Sequence, residues 1–118
     1  MSGDWKGEAL CYPFIKLDMR LTLQYFPGGE TLGTNEVRLL AEDGKAFTTG
    51  EYSLRGTYDP ASRRIKLDGV KWLDEPSGYA MVGLDGHMAS SGQKISGHVP
   101  DLFSCTDFEV WRPTQLIG

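Results

Sequence analysis

The sequence predicts an all-β domain, a small antiparallel up-and-down barrel of about eight strands, with a two-sheet β-sandwich as the alternative. Three observations carry this. In "IKLDMRLTLQYF", Ile15 to Phe26, the odd positions from Ile15 to Tyr25 are all apolar. The intervening Lys16, Asp18, Arg20, Thr22 and Gln24 are polar, the period of two of a strand with one wet face. Fifteen glycines and six prolines are scattered as punctuation between short apolar segments and are not gathered into a linker. No segment of comparable length carries the helical period. Sequential hairpins generate a barrel directly, and closure removes the strand edges that a sandwich leaves open, which favours the barrel.

A first short strand runs from Trp5 to Tyr12 and is ended by Pro13, and the second is Ile15 to Phe26. After "FPGG" a strand is expected around Glu36 to Glu42; after "EDGK" another spans Glu51 to Tyr58, with Tyr52, Leu54 and Tyr58 on one face. "DPAS", Asp59 to Ser62, sets a proline at a turn position that suits its fixed φ. In "RRIKLDGVKW" the apolar phase moves from Ile65 and Leu67 to Val70 and Trp72 across Gly69, so a bulge is predicted at Gly69. "YAMVGLDG", "KISGHV" and "CTDFEVW" supply three more strands, separated by "SSGQ" and "PDLFS". Trp5 stands at the entry of the first strand and Arg112 just after the last. A guanidinium stacked over an indole is expected where the termini meet, and Trp5 is either a lid on the barrel floor or a ligand platform.

The 118 residues suit one domain with one core. A net charge of -4 offers no basic field to collect nucleic acid, so neither DNA nor RNA is expected as a partner. No apolar run reaches the length of a membrane span, and "MSGDWKGEAL" lacks the pattern of a signal peptide, so a soluble cytoplasmic protein is expected. The two cysteines, Cys11 and Cys105, are either reduced and buried or, if first and last strands are neighbours, close enough to bridge.

No catalytic signature is present, and no enzyme is expected. His87 and His98 lack the spacing of a zinc site, Ser90 and Ser91 fall in a hairpin turn, and neither cysteine has a local histidine to activate it. No metal or other cofactor is implied. Asp74 and Glu75 flank a turn, where they serve as turn formers as readily as an acid and a base.

The candidate site is "KWLDEPSGY", Lys71 to Tyr79, in which Pro76, Ser77 and Gly78 make the turn and Trp72 and Tyr79 flank it. Their rings would either stack on a flat base or sugar at the barrel mouth, or pack on each other as an ordinary cross-strand pair. Arg55, Arg63, Arg64, Lys66 and Lys71 concentrate between the fourth and fifth strands, where they form either a basic patch for a pyrophosphate or a solvated polar face; Arg20 and Arg38 are more isolated. The ligand-binding set is accordingly Trp72, Tyr79, Arg55, Arg64, Lys66, Lys71, Glu75 and Ser77. The alternative is a protein-interaction module or a homo-oligomer anchored on Tyr12, Phe14, Trp72 and Trp111, with carbohydrate binding a third function for the same aromatics.

"G-x-Y-D-P" at Gly56 to Pro60, "W-L-D-E-P-S-G-Y-A-M-V-G-L-D-G" at Trp72 to Gly86, "I-S-G-H-V" at Ile95 to Val99 and "C-T-D-F-E-V-W-R" at Cys105 to Arg112 form a train of short motifs. It resembles a small bacterial lipocalin-like β-barrel domain found at the C-terminal end of caspase-like proteases and related defence proteins. The resemblance covers the second half well, and the first half only through Trp5, Gly7 and Cys11. It implies a sensing module without chemistry of its own, recognising a small nucleotide-derived signal such as a cyclic ADP-ribose. With no protease domain in these residues, it implies a sensor acting in trans, or a host or phage protein that sequesters the signal.

Overall fold

The computed structural model describes residues 2–11, 15–40, 43–75, 81–100 and 105–112, the side chains at 11, 15, 46–48 and 105 excepted. Eight antiparallel strands close into one barrel in chain order: β1 (Gly3–Cys11), β2 (Ile15–Tyr25), β3 (Glu30–Leu40), β4 (Ala46–Asp59), β5 (Arg64–Asp74), β6 (Leu84–Met88), β7 (Lys94–His98) and β8 (Cys105–Trp111). The barrel is therefore the correct alternative, and the sandwich is not formed. Closure is completed by the ladder between β1 and β8, in which Gly7 faces Val110 and Ala9 faces Phe108.

The alternation in β2 decides which side faces in. Leu17, Met19, Leu21 and Leu23 are buried, and cross-strand partners share a face, so Val37 opposite Met19 and Asn35 opposite Leu21 are buried with them. The same phase places Tyr52, Leu54 and Tyr58 inside on β4, Ile65 and Leu67 on β5, Leu84 and Met88 on β6, Ile95 on β7, and Phe108 and Val110 on β8. Each such side chain contributes roughly 1.5–3 kcal/mol by leaving water, which makes this single interior the main source of stability. The outer wall carries the charges, with Arg38 donating to Asp18 on the neighbouring strand through Nε and Nη2 at 3.1 and 2.7 Å. Among the described residues no helix is long and apolar enough to cross a membrane.

Three strands differ from the sequence expectation by more than two residues at one boundary. β3 begins at Glu30, six residues before the expected start, because its first inward positions hold Thr31, Gly33 and Asn35, which give no apolar alternation to recognise. β4 extends back to Ala46. β6 covers Leu84 to Met88; of the expected "YAMVGLDG", Tyr79 and Ala80 lie outside the described residues, and Met81 and Val82 pack against the core without joining a ladder. The predicted phase slip in β5 is present, but its extra residue is Val70: Leu54 pairs with Gly69 and Ser53 with Lys71. Val70 consequently lies outside, 55% exposed, and a second irregularity between the Tyr52 and Glu51 pairs puts Leu73 outside as well.

One end of the barrel is a packed floor. Trp5 is wholly buried there, and Arg112 lies over its ring with Cζ 4.3 Å from the centroid. Arg112 also donates to the carbonyls of Gly92 and Ser2 at 3.0 and 2.9 Å, tying both ends of the chain to the β6–β7 turn. Tyr25 and Tyr58 meet edge to face at 5.6 Å, and the Tyr58 hydroxyl reaches Met88 Sδ. At the β4–β5 turn, Asp59 accepts from the Ala61 amide and the Ser62 hydroxyl, which holds its carboxyl below the usual range. Of the two alternatives for Trp5, the structure shows the lid.

Candidate functional site

The other end of the barrel differs in construction. β6 pairs with β5 only from Leu67 back to Arg64, so residues 68–74 have no ladder partner on that side among the described residues. The segment 81–83 turns inward beside them. Gly69 permits this: a Cβ there would lie 2.6 Å from the Cβ of Met81, closer than side chains approach.

Tyr52 replaces the missing ladder. Its hydroxyl donates to the Val82 carbonyl at 2.9 Å and accepts from the Val82 amide at 3.3 Å, so one phenol satisfies both backbone groups of a buried residue. It also accepts from Asn35 Nδ2 at 2.9 Å, Asn35 being its cross-strand partner. Burial pushes the Tyr52 phenol up from 10.0 to about 12, against the lowering effect of its Asn35 and Val82 hydrogen bonds, so it remains a neutral donor at physiological pH.

The orientation of Asn35 follows. A hydroxyl has one proton, and that of Tyr52 goes to the Val82 carbonyl; Tyr52 can then only accept from the carboxamide, so Nδ2 must face it and Oδ1 must face away. Asn35 is 0% exposed, and among the described residues its Oδ1 has no hydrogen-bond partner. Trp72, half-buried, completes the cluster, its ring meeting Tyr52 edge to face at 5.2 Å. The row Leu21–Asn35–Tyr52–Trp72 is thus a continuous line of cross-strand neighbours on the inner wall, changing from apolar to polar to aromatic.

The expected site residues are divided by the sheet. Trp72 faces inward, while Arg55, Arg64, Lys66 and Lys71 lie on strand positions of the outer wall and are exposed. Arg55 stands 3.6 Å from Glu30, and Arg64 Nη2 donates to Asp85 at 3.1 Å, so acids partner two of the four cations. A shallow outer depression of ≈ 540 Å³ runs past Glu30, Arg55, Thr57, Asp68 and Val70, with Arg55 between two carboxylate-bearing positions. A single ligand held on Trp72 from within does not reach these cations through the barrel wall. Glu75 is exposed just after β5; Ser77 and Tyr79 lie outside the described residues.

For the interaction surface, Trp111 is 43% exposed and Trp72 is turned inward, while Tyr12 and Phe14 lie outside the described residues. Cys11 and Cys105 are register partners across the β1–β8 seam. Among the described residues no group of three histidine, cysteine, aspartate or glutamate side chains is placed to hold a metal ion. Asn35, the residue that sequence reasoning missed, carries no sequence signal beyond an asparagine at an inward strand position. No family model matches the chain, and a search of curated proteins finds no match.

Proposed function

We propose that this barrel binds a small molecule without transforming it, at the end opposite the Trp5 floor. The observation that carries this is the interruption of the β5–β6 ladder beyond Leu67, which leaves the half-buried, inward-facing Trp72 and Met81 as the apolar wall of that end. Small barrels commonly hold ligands at such mouths, with an aromatic surface beside a few polar groups. The resemblance to lipocalin-like domains of defence proteins supports a nucleotide-derived signal as the ligand, sensed or sequestered in the bacterial cytoplasm by a host or phage protein. The outer-wall cations, two of them paired with acids, lend less support to a pyrophosphate contact than to recognition of the base.

The test is thermal melting of the purified protein against a panel of nucleosides, cyclic nucleotides and sugars. A ligand at a hundredfold its Kd stabilises the fold by about 2.7 kcal/mol through mass action, and Trp72→Ala is expected to remove the shift. A second function, protein binding, is favoured by one observation: exposed Val70 and Leu73 lie on the stretch of β5 that lacks a ladder partner on its β6 side among the described residues, a place where an added strand could dock. Absence of any melting shift across the panel would favour it.

A further inference from the structure

We propose that the ligand of this barrel is a neutral, flat molecule that donates one ring or exocyclic N–H to Asn35 Oδ1, entering where Trp72 now covers Tyr52. The inference rests on the small-molecule function proposed above and names the chemistry of its recognition. A buried carboxamide oxygen without a partner is uncommon in a folded interior, because the desolvated acceptor destabilises the protein that contains it. Here it cannot be relieved by a side-chain flip, since the single proton of Tyr52 is committed to the Val82 carbonyl. The oxygen is therefore a fixed acceptor held ready by a hydrogen-bonded frame, which is how a site is built to select a donor.

The surroundings define the rest of the molecule. Leu21 and Val37 on adjacent strands are buried and apolar, and the Tyr52 phenol remains un-ionised. Among the described residues no charged side chain is buried in this interior, so an ionic group on the ligand would be left unpaired by them. Trp72, whose ring stands edge-on to Tyr52, is the partly exposed member of the row, and rotation of its indole would open a path to Asn35 and offer the incoming ring a stacking face. A lactam N–H or an exocyclic amine on a heteroaromatic ring satisfies all these conditions.

Adenosine, guanosine and thymidine are suitable probes, each compared with the counterpart methylated at its donor nitrogens: N6,N6-dimethyladenosine, 1,N2,N2-trimethylguanosine and N3-methylthymidine. Affinities would be measured by calorimetry on the full chain. At least one parent nucleoside is expected to bind at least tenfold more tightly than its methylated form, equivalent to about 1.4 kcal/mol. Asn35→Leu is expected to erase that difference while circular dichroism shows the barrel intact. Should Asn35→Leu fail to fold, Asn35→Asp supplies the second variant: it keeps an acceptor, and the preference for the parent nucleoside should persist.

Equal binding of parent and methylated forms, still lost in Trp72→Ala, would overturn the donor assignment and leave the small-molecule function standing. Absence of binding by all six probes would also overturn the donor assignment, with Oδ1 then satisfied by an enclosed water only. The broader function would fall separately, if the wider ligand panel gave no Trp72-dependent shift either.

Discussion

Replacing Tyr52 by phenylalanine removes one oxygen and three hydrogen bonds, those to the Val82 carbonyl, from the Val82 amide and from Asn35 Nδ2. The ring and its edge-on contact with Trp72 stay in place, so little apolar burial is lost. Three buried polar groups lose their partner, and an unpaired buried donor or acceptor costs about 1–3 kcal/mol. Partial relaxation of segment 81–83 toward water lowers the total, and ~3–5 kcal/mol of destabilisation is expected. That is a large part of the 5–15 kcal/mol typical of a whole domain, and lowers the melting temperature by roughly 10–20 °C. Urea unfolding followed by tryptophan fluorescence measures it directly.

The same residue makes a second, independent signature. The folded protein holds the Tyr52 phenol protonated up to about 12, whereas the unfolded chain releases that proton near 10.0. Between these values the native state binds more protons than the unfolded state, so stability falls as pH rises; below pH 10 the contribution is constant and fully present. Two pH units at 1.36 kcal/mol each give a loss of about 2.7 kcal/mol across that window. Tyr52→Phe is expected to lack this component, so the difference between the two proteins should shrink from pH 9 to pH 12. A Tyr52→Phe penalty below ~1 kcal/mol, or identical alkaline slopes in the two proteins, would refute the proposed role of the hydroxyl.

Gly56→Ala is expected to cost more than ~3 kcal/mol or to abolish folding, since its Cβ would collide with the Lys66 carbonyl oxygen across the β4–β5 ladder; expression yield and urea midpoint report it. Arg112→Ala should lower stability by ~2 kcal/mol through loss of the stack on Trp5 and the bonds to Gly92 and Ser2, with Arg112→Lys failing to restore the planar contact. Arg63 adopts φ 62°, and Arg63→Gly should raise stability by ~0.5–1 kcal/mol in the same denaturation assay, whereas an unchanged or lower midpoint would show that its side chain matters more than its backbone. Directly opposed antiparallel partners have Cα atoms ~4.5–5.5 Å apart, within the span of a disulfide. Treatment with oxidised glutathione, which accepts the two electrons and two protons, is therefore expected to join the register partners Cys11 and Cys105, seen as a mass loss of about 2 Da and no free thiol; two alkylatable cysteines after treatment would count against it.

The parts of this fold legible in the sequence are those where burial and alternation coincide. β2 shows itself because its inward positions from Leu17 to Leu23 are all large and apolar against a charged outer face. The first half of β3 does not, because Thr31, Gly33 and Asn35 occupy the same inward phase, and a polar or small residue at a buried position erases the only signal that periodicity offers. The slip in β5 was visible as a change of phase near Gly69. Which residue bulges was not, because Val70 is apolar on either assignment and only its exposure decides.

The candidate site was half legible for a related reason. Trp72 stood out as an aromatic beside a turn, and the structure places it on the inner wall; the cations next to it in sequence occupy alternate positions and therefore face the other way. Nearness along a strand is a poor guide to a shared site, since neighbours one residue apart are separated by the sheet itself. The partners of Trp72 are instead one strand away: Tyr52, and beyond it Asn35, reached by register and not by sequence. Register is set by turns and bulges distributed over the whole barrel. The buried acceptor at Asn35 is consequently a property of the closed fold, and the same asparagine in an isolated β3–β4 hairpin would have water on its oxygen and no selectivity for a donor.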